Sequence, residues 1–489
     1  MRMAPAPGYR RPMLMYALLF ACSGDPSDGG ADGPPADTDT DTDTDTDTDT
    51  DTDTDTDTDT DTETGDSGEL IVGTAPLQFR GKAPKNVLMI SIDTMRKDHL
   101  TRFGGTGETD WMDGLMDAGV VMEDHLTCSN WTFPGTSCTI LGRYHEDNGH
   151  IPQISNTYRA PFPDDLPFLA RNLGDVGFHT AICSRNSWLS DEWNNTQGYQ
   201  HELPGLFGAE PQMEKGLENL MAPGGPVVNG QPWFLHVHVT EPHVTYNPPE
   251  SYLGELAKLD PIDFDLTVSS QHYDARDDWP DLSKDEQALV LQHMQIRYRA
   301  ELAWLDDLLE ASMDRFEAEG LLDDTLVVVW NDHGEQFWEH GHLTHAYDLY
   351  REENDGYLFF WSKNIVPAVW TGPTTAVDVV PTVLGAMGVA DADWRSGEVI
   401  GTADPNRVRF ALSVARVGLV ASATRGTDRL VFFGRPGRLE RYDHVADPGE
   451  TVNLHGQDPV LDAELWDLLR PQVEKAQAAA PHILVNWPE

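Results

Sequence analysis

The protein is a chain of 489 residues with a formal net charge of −49 at pH 7 and 39% hydrophobic residues. This length allows a large core and a smaller second one. The acidity excludes a role in binding nucleic-acid phosphates, because such binding needs clustered Lys and Arg. No Cys-x-x-Cys pair occurs, so a thiolate zinc site is not expected. Cys128, Cys138 and Cys183 can form one disulfide plus a free thiol, or remain three buried thiols.

The N-terminal segment, residues 1–22, has the layout of a secretory signal. Arginines precede a short apolar stretch, residues 13–21, which is too short to span a bilayer. The last four residues, Leu-Phe-Ala-Cys, are similar to a bacterial lipobox, with Phe20 bulkier than usual. We therefore predict export, lipidation at Cys22 and a lipid anchor in the bacterial cell envelope. The alternative is an ordinary signal peptide with an incidental cysteine.

Residues 23–83 read as a disordered acidic linker. Residues 37–62 are thirteen Asp-Thr pairs without any apolar side chain, so nothing offsets the entropy of ordering. Repulsion between the charges stretches such a segment, to roughly 90 Å at full extension. A spacer is the functional interpretation, and low-affinity calcium binding is the runner-up.

Residues 84–400 are predicted to form a three-layer α/β domain with a mainly parallel central sheet. Apolar runs of strand length alternate with helical patterns. The best helical pattern covers residues 283–318, with Gly320 as a probable C-cap. The predicted strands are Asn86 to Ile92, Trp233 to Val239, Thr325 to Trp330 and Tyr357 to Trp361.

Residues 401–489 are predicted to form a small C-terminal subdomain that packs on the catalytic domain. Its short strand-like pieces are separated by tight turns, which indicates an antiparallel sheet. A helix, Pro459 to Ala480, closes it. The predicted strands are Arg407 to Val414, Gly418 to Ser422, Arg429 to Phe433 and Leu439 to Tyr442.

Two of the predicted strands end in residues that can bind a metal. Asp93 follows the first strand, and Asp332-His333-Gly334 follows the strand that begins at Thr325. Ligands of open α/β sheets bind at the carboxyl ends of the strands. A lone Asp-His-Gly is often only a capping turn. That interpretation weakens here because further acids and histidines occur nearby in sequence, at Glu241, His243, His340, His342 and His345.

A third segment, residues 129–144, places Thr132 before Phe-Pro-Gly, where a helix can begin after a tight turn. The free N–H groups of a helix N-terminus suit an anionic ester. A threonine is a poor nucleophile by itself, but beside a divalent metal its hydroxyl loses the proton more easily. In isolation this segment would be interpreted as a Pro-containing turn with an N-cap.

The ordered set of segments resembles the sulfatase and alkaline-phosphatase superfamily over nearly all of residues 84–455. Any one segment is weak evidence, whereas six in the right order are strong. They are NVLMISIDTMRKDHL (86–100), SNWTFPGTSCTILGRY (129–144), HVTEPHVTY (238–246), LLDDTLVVVWNDHGEQFWEHG (321–341), VDVVPTVLGAMGV (377–389) and RYDHVADPGETVNL (441–454).

The resemblance implies an ester hydrolase with one or two divalent ions, Ca²⁺, Mn²⁺ or Zn²⁺, and a role for each matching residue. More nitrogen ligands would favour Zn²⁺. Thr94 stands where many sulfatases have a second Asp. His342 is the rival of His345, because the local spacing is loose. The implied metal ligands are Asp93, Asp332 and His333, the implied catalytic residues Thr132, His243 and His345, and the implied substrate-binding residues Arg96 and His342.

The nucleophile position departs from the sulfatase pattern. Formylglycine sulfatases need Cys or Ser in a Cys/Ser-x-Pro-x-Arg setting, whereas this chain has Thr132 and, in place of the Arg, Thr136. Threonine nucleophiles resemble those of the phosphodiesterase, phosphomutase and phosphoethanolamine-transferase branches. The resemblance therefore implies a phosphate or phosphonate ester as well as a sulfate ester.

The leading interpretation is hydrolysis of a small-molecule, glycan or lipid ester, in which Thr132 attacks, a covalent intermediate forms and water cleaves it. The first alternative is a phosphoryl or phosphoethanolamine-type transferase. Such transferases usually carry several transmembrane helices before the catalytic domain, and this sequence has no run long enough for one. The second alternative is a non-catalytic surface protein with the sulfatase fold, supported by the missing Arg and second Asp.

Overall fold

A computed structural model describes residues 71–154, 161–204, 208–391 and 394–488. Cys22 and the Asp-Thr repeat, for which the sequence predicts a lipid anchor and a tether, lie outside these ranges. Within them, no helix combines the length and the apolar character needed to cross a membrane.

Strands and helices alternate up to about residue 390, and four consecutive strands and a last helix follow. The strands are β1 (Ile71–Thr74), β2 (Leu77–Arg80), β3 (Asn86–Ile92), β4 (Val120–Leu126), β5 (His179–Ser184), β6 (His201–Pro204), β7 (Trp233–Val239), β8 (Thr325–Asn331), β9 (Gln336–Phe337), β10 (Leu343–Thr344), β11 (Asp355–Trp361), β12 (Ala368–Trp370), β13 (Thr374–Thr375), β14 (Arg409–Ala415), β15 (Gly418–Arg425), β16 (Asp428–Phe433) and β17 (Arg438–Asp443). The α-helices are α1 (Asp110–Asp117), α2 (Thr132–Leu141), α3 (His145–Asn148), α4 (Leu169–Asp175), α5 (Ala209–Met221), α6 (Pro226–Asn229), α7 (Ser269–Asp278), α8 (Lys284–Ala318), α9 (Arg351–Asn354), α10 (Val379–Ala386) and α11 (Pro459–Ala479).

The central sheet has the strand order β12-β4-β11-β8-β3-β7-β5-β6, with β13 also paired to β4. Strands β8, β3, β7, β5 and β6 are parallel. Strand β11 is antiparallel to both of its neighbours. The segment between β8 and β11 contains only the short strands β9 and β10 and the one-turn helix α9. A parallel return usually needs a crossover helix. The predicted α/β class with a mainly parallel sheet is confirmed.

Strand β3 is buried on both faces, as its unbroken apolar run predicted. Leu88, Ile90 and Ile92 pack in the layer that contains α8. Val87 and Met89 pack on the opposite side, with residues of α2 and α10. Because side chains alternate along a strand, Ser91 and then Asp93, the residue after β3, lie on the same α2 side of the sheet.

Helix α8 agrees closely with the pattern that predicted it. Ser283 and Glu286 form a capping box at its N-terminus. After the helix ends, Gly320 adopts a left-handed conformation with φ 69°, which a residue without Cβ tolerates. The helix lies across one face of the sheet and supplies much of that layer of the core.

The C-terminal strands β14 to β17 form a separate antiparallel sheet, with α11 packed on it. This small sheet confirms the predicted architecture. Cys128 and Cys138 form a disulfide with a Cα–Cα distance of 6.7 Å, and Cys183 is a buried free thiol. Of the two possibilities left open by the sequence, the structure has one disulfide plus one thiol.

Candidate active site

Three metal-capable side chains meet where two central strands end. Asp93 directly follows β3, and Asp332 and His333 directly follow β8. The two strands are parallel neighbours, with Ile92 opposite Asn331. Because parallel strands end at the same edge of a sheet, their following residues come together. One ligand atom from each of the three side chains lies within 4.8 Å of the others, and all three residues are buried.

The imidazole of His333 presents a lone pair to the two carboxylates. Its Nδ1 lies 2.9 Å from the carbonyl oxygen of Gly334, which can only accept, so Nδ1 carries the proton. Nε2 is then bare, 3.4 Å from Asp93 Oδ1 and 3.7 Å from Asp332 Oδ2. Burial lowers the pKa of His333 to about 3, so the ring is neutral. A neutral His with its other nitrogen on a carbonyl is the form that ligates metals.

A divalent cation fits the space that these three groups face. Asp93 Oδ1 and Asp332 Oδ2 are buried, and neither has a hydrogen-bond partner among the residues that the structure describes. Burial, and then the charge of Asp93, raise the pKa of Asp332 well above its ordinary value. Two carboxylate oxygens and a nitrogen lone pair repel one another unless a cation offsets them. Two oxygen ligands and one nitrogen ligand are compatible with Ca²⁺, Mn²⁺ or Zn²⁺.

The second oxygen of Asp93 has other neighbours. Asn186 Nδ2 donates to Oδ2 at 2.9 Å, and His238 Nε2 lies 3.5 Å from the same oxygen. Burial alone would raise the pKa of Asp93, but the neighbouring His243, His238 and His333 outweigh burial and hold it below its ordinary value. Asp93 is therefore a carboxylate whose Oδ2 accepts a hydrogen bond, whereas Oδ1 accepts none from the described residues.

The chain turns sharply after Asp93. Thr94 has φ 57°, which is a strained conformation for a β-branched residue. This turn points the Thr94 N–H at Asp332 Oδ1, 3.3 Å away, where the His333 N–H also donates at 2.9 Å. The residue that stands in place of a second Asp thus holds Asp332 through its backbone.

Thr132 is the first residue of α2 and lies against the metal-capable group. Its Oγ1 is 3.4 Å from Asp93 Oδ2 and 3.5 Å from His333 Nε2. One turn later, Gly135 packs so closely on the Asp332 backbone that a Cβ there would lie 2.5 Å from the Asp332 carbonyl oxygen. The predicted start of a helix at Thr132 is confirmed, and the helix brings the hydroxyl to the ligands.

Two predicted catalytic histidines lie beside this group. The ring centroids of His243 and His345 are 5.2 Å apart, and those of His345 and His333 are 4.5 Å apart. His345 Nδ1 is 3.1 Å from Glu335 Oε1, and His243 Nδ1 is 2.8 Å from the Val244 carbonyl oxygen. Each Nδ1 therefore has an acceptor, which leaves Nε2 available for proton transfer. Burial raises the pKa of Glu335 to about 7.

Arg96 and His342, the two predicted substrate-binding residues, have their contacts outside the group of three metal-capable side chains. The Arg96 guanidinium forms ion pairs with Asp98 at 2.7 Å and Glu339 at 2.5 Å. The His342 ring stacks on Tyr347, with centroids 4.2 Å apart. In the part of the chain that the structure describes, no hydrogen bond or ion pair joins either residue to the three metal-capable side chains. Their substrate-binding roles remain predictions, and Cys22 lies outside the described residues.

Sequence reasoning missed two residues of the site. Asn186 follows β5 and donates to Asp93, and Glu335 follows the Asp-His-Gly turn and bonds His345. The position of Asn186 two residues after a buried strand was a usable signal, since polar residues at such ends meet at one edge of the sheet. Glu335 carried no distinguishing signal, because its partner is ten residues away along an irregular segment.

Comparison with known proteins gives a consistent picture. Residues 85–389 match the sulfatase family. A choline-sulfatase of Rhizobium meliloti is 22% identical over 381 residues, 65% of this chain and 73% of that protein. The structure of BT4656 in complex with its substrate D-glucosamine-2-N,6-O-disulfate has a TM-score of 0.64 and 17% identity, covering 82% of this chain and 99% of that one. The structure of the phosphonate monoester hydrolase SpPMH from Silicibacter pomeroyi has a TM-score of 0.62 and 19% identity, and the match covers 81% of this chain and 96% of that one. The family match spans more than half of the chain, which therefore belongs to the sulfatase family of ester hydrolases.

Proposed function

We propose that the protein is a metal-dependent hydrolase of sulfate- or phosphate-type esters in which Thr132 is the nucleophile. The observation that carries this proposal is the position of Thr132 Oγ1, 3.4 Å from Asp93 Oδ2 and 3.5 Å from His333 Nε2. Asp93, Asp332 and His333 would hold one divalent cation. When bound, the cation supplies positive charge that favours the ionised hydroxyl and offsets charge on the ester oxygens.

The reaction would proceed in two steps, separated by a covalent intermediate on Thr132. In the first, Thr132 loses its proton to solvent, its Oγ1 bonds to the phosphorus or sulfur, and the ester bond to the leaving oxygen breaks. His345 or His243, protonated at Nε2 from solvent, gives that proton to the leaving oxygen. In the second step water attacks the same centre, the bond to Oγ1 breaks, and Thr132 regains a proton.

Glu335 supports this role of His345. A carboxylate on Nδ1 fixes the orientation of the ring and stabilises the imidazolium that forms when Nε2 takes a proton. The contact of 3.1 Å between His345 Nδ1 and Glu335 Oε1 is buried. Burial lowers the pKa of His345 well below its ordinary value, so a carboxylate on Nδ1 would offset part of the cost of charging this ring. Glu335 is therefore a positioning residue for His345.

The identity of the nucleophile favours phosphorus over sulfur. Thr132 cannot become formylglycine by the route open to Cys or Ser, and Thr136 replaces the Arg of that motif. The Thr136 hydroxyl donates to the Thr132 carbonyl oxygen at 2.6 Å, so it stabilises the first turn of α2. We expect a phosphate or phosphonate ester to be cleaved faster than an aryl sulfate.

The deciding experiment compares Thr132→Ala with the wild-type protein on an aryl sulfate, a phosphate monoester, a phosphodiester and a phosphonate ester. Metal content is measured on the same samples. We expect Thr132→Ala to lose turnover of every ester while its metal content stays near normal.

A matched control is Thr139→Ala. Thr139 is buried in the same helix and donates to the Gly135 carbonyl oxygen at 2.7 Å, and within the described residues no hydrogen bond joins it to the metal-capable side chains. This variant should keep wild-type turnover. Full activity of Thr132→Ala would rule out Thr132 as the nucleophile. A wild-type protein without stoichiometric metal and without turnover would instead favour the non-catalytic alternative.

The linker predicted for residues 23–83 ends earlier, because β1 and β2 occupy residues 71–80 and Phe79 is buried in the core. We also propose that Cys22 carries a lipid and that residues 23–70 hold the catalytic unit away from the membrane. The support is the order of signal-like segment, cysteine and acidic repeat in the sequence. In a bacterial host, Cys22→Ser should move the protein from the membrane fraction to the soluble fraction. Unchanged fractionation would contradict the anchor.

A further inference from the structure

Three buried polar side chains and the partly buried Tyr199 form a chain that leads to Asp93. The Tyr199 hydroxyl lies 2.9 Å from His236 Nδ1, and His236 Nε2 lies 2.8 Å from Ser91 Oγ. Ser91 Oγ lies 2.8 Å from His238 Nδ1, and His238 Nε2 lies 3.5 Å from Asp93 Oδ2. The first three contacts are hydrogen bonds, whereas the last, from His238 Nε2 to the proposed metal ligand Asp93, is a longer contact without hydrogen-bond geometry in the described structure.

The chain runs beside apolar core residues such as Met89 and Phe234. Ser91 on β3 is opposite His238 on β7, and both point to the α2 side of the sheet together with His236. Ser91, His236 and His238 are fully buried. Buried polar groups in a core are costly unless they are paired, and apolar residues would pack these strands equally well. Stability therefore does not explain their presence.

The three hydrogen bonds between Tyr199 and His238 have one direction that also turns an N–H towards Asp93. A Tyr199 hydroxyl that donates to His236 Nδ1 leaves the proton of the neutral ring on Nε2, which donates to Ser91 Oγ. Ser91 then donates to His238 Nδ1, and the proton of that ring is on Nε2, facing Asp93. Burial lowers the pKa of His236 to about 3, which keeps this ring neutral with a single N–H.

The opposite direction is unfavourable at both ends. It would leave the Tyr199 proton without an acceptor among the described residues, and it would place a bare Nε2 of His238 against the carboxylate of Asp93. A lone pair facing a carboxylate in a buried site is repulsive. The first direction avoids both penalties.

We propose that Tyr199, His236, Ser91 and His238 form a directional relay that keeps His238 in its Nε2–H tautomer and directs this N–H to Asp93 Oδ2. Together with Asn186, which donates to the same oxygen at 2.9 Å, the relay leaves Oδ1 of Asp93 free for the cation. These four are positioning residues, and the proposal rests on the proposed metal-dependent function.

The tautomer is tested directly on the metal-free full chain labelled with ¹⁵N-histidine. The ¹⁵N shifts distinguish a nitrogen that carries a proton from one that does not, and His236→Gln and His238→Gln assign the signals. We expect Nε2 to carry the proton and Nδ1 to be bare in each ring. A proton on Nδ1 of His238 would overturn the relay. This measurement needs neither bound metal nor turnover.

The effect on the site is tested with Mn²⁺ as the probe, in competition with a chelator. Loss of a residue that orients a ligand weakens metal binding by roughly 10- to 100-fold. We expect a loss of this size in Ser91→Ala and His238→Leu. His238→Gln, whose amide N–H can take the place of Nε2–H, should recover most of the affinity. Wild-type affinity in both Ser91→Ala and His238→Leu would overturn the proposal.

Tyr442→Phe is a matched control. Like Ser91→Ala, it removes a buried hydroxyl, here one that donates to Glu440 at 2.9 Å in the small C-terminal sheet. Its Mn²⁺ affinity should equal that of the wild type, and its thermal midpoint shows the cost of losing such a hydroxyl. If the wild type binds no Mn²⁺ and cleaves no ester, the proposed function fails. The tautomer of His238 then decides the relay alone.

Discussion

Gly135 sets the spacing between α2, which begins at the proposed nucleophile Thr132, and Asp332, a proposed metal ligand, and Gly135→Ala tests that spacing. An added Cβ would lie 2.5 Å from the Asp332 carbonyl oxygen and 3.2 Å from its carbonyl carbon. Real Cβ contacts below 3.0 Å essentially never occur, so one of the two backbones must move. One backbone belongs to α2, which begins at Thr132, and the other to the turn that carries Asp332 and His333.

Two opposing effects determine the sign of the stability change. Within a helix, replacing Gly with Ala usually stabilises by about 1 kcal/mol. Overpacking a close contact costs about 1–3 kcal/mol, so we expect a net loss of up to about 2 kcal/mol. Catalysis should suffer more, since misplacing a catalytic group by about 1 Å can cost about 100-fold in rate. We therefore expect kcat/KM to fall by about 10- to 100-fold, depending on how far Thr132 moves relative to Asp332.

The assay is kcat/KM on the best ester of the substrate panel, together with Mn²⁺ affinity and the thermal midpoint. Gly114→Ala is the matched control, because Gly114 is also inside a helix and a Cβ there meets nothing within 4 Å. It should keep wild-type kcat/KM and gain slightly in stability. If Gly135→Ala also keeps wild-type kcat/KM and Mn²⁺ affinity, the tight packing of α2 on the ligand turn is irrelevant to the site.

Three further predictions concern stability. Mn²⁺ at about 100 times its Kd should stabilise the wild type by about 2.7 kcal/mol, and Asp332→Asn should abolish that rise in thermal midpoint; an equal rise in the variant would contradict the ligand assignment. Burial raises the pKa of Glu146 from 4.5 to about 8, so the folded state binds more protons than the unfolded state between these values. Stability should fall as pH rises through this window, by up to about 1.4 kcal/mol per pH unit. In Glu146→Gln, the free energy of unfolding measured with urea should no longer depend on pH in this window. An unchanged pH dependence would show that Glu146 does not cause it. Reduction of the disulfide between Cys128 and Cys138 should cost about 3 kcal/mol, measured as a lower thermal midpoint; the double variant Cys128→Ser/Cys138→Ser should show the same loss and no response to reductant.

Most elements of the fold follow from the local pattern. Strands β3 and β7 have the predicted limits, and α8 and α11 differ from prediction by one residue at one end. These segments are long, strongly apolar or strongly periodic, so their local preference and their place in the core agree. The antiparallel direction of β11 could not be predicted in this way, because an apolar run contains no information on the direction of its neighbours.

In the candidate site, too, some residues were predictable from the local sequence and others were not. Asp93, Asp332 and His333 were predictable because each follows a strand and parallel strands end together. The partners of these residues were not. Asn186 reaches Asp93 from a loop beyond β5, and Glu335 reaches His345 across an irregular segment. Such contacts depend on loop conformations that neither hydrophobic periodicity nor residue spacing encodes.

The sequence by itself determined the class of fold and the strand ends that carry the metal-capable residues, and it supplied the proposal that Thr132 is the nucleophile. These follow from periodicity, composition and motif, which are local properties of the chain. Only the tertiary structure decided that Thr132 lies 3.4 Å from Asp93, that His333 presents a bare Nε2, and that Ser91 joins two histidines behind the ligand. Distances, tautomers and buried hydrogen bonds depend on how distant segments pack, because each polar group in a core takes its partner from whichever element is folded against it.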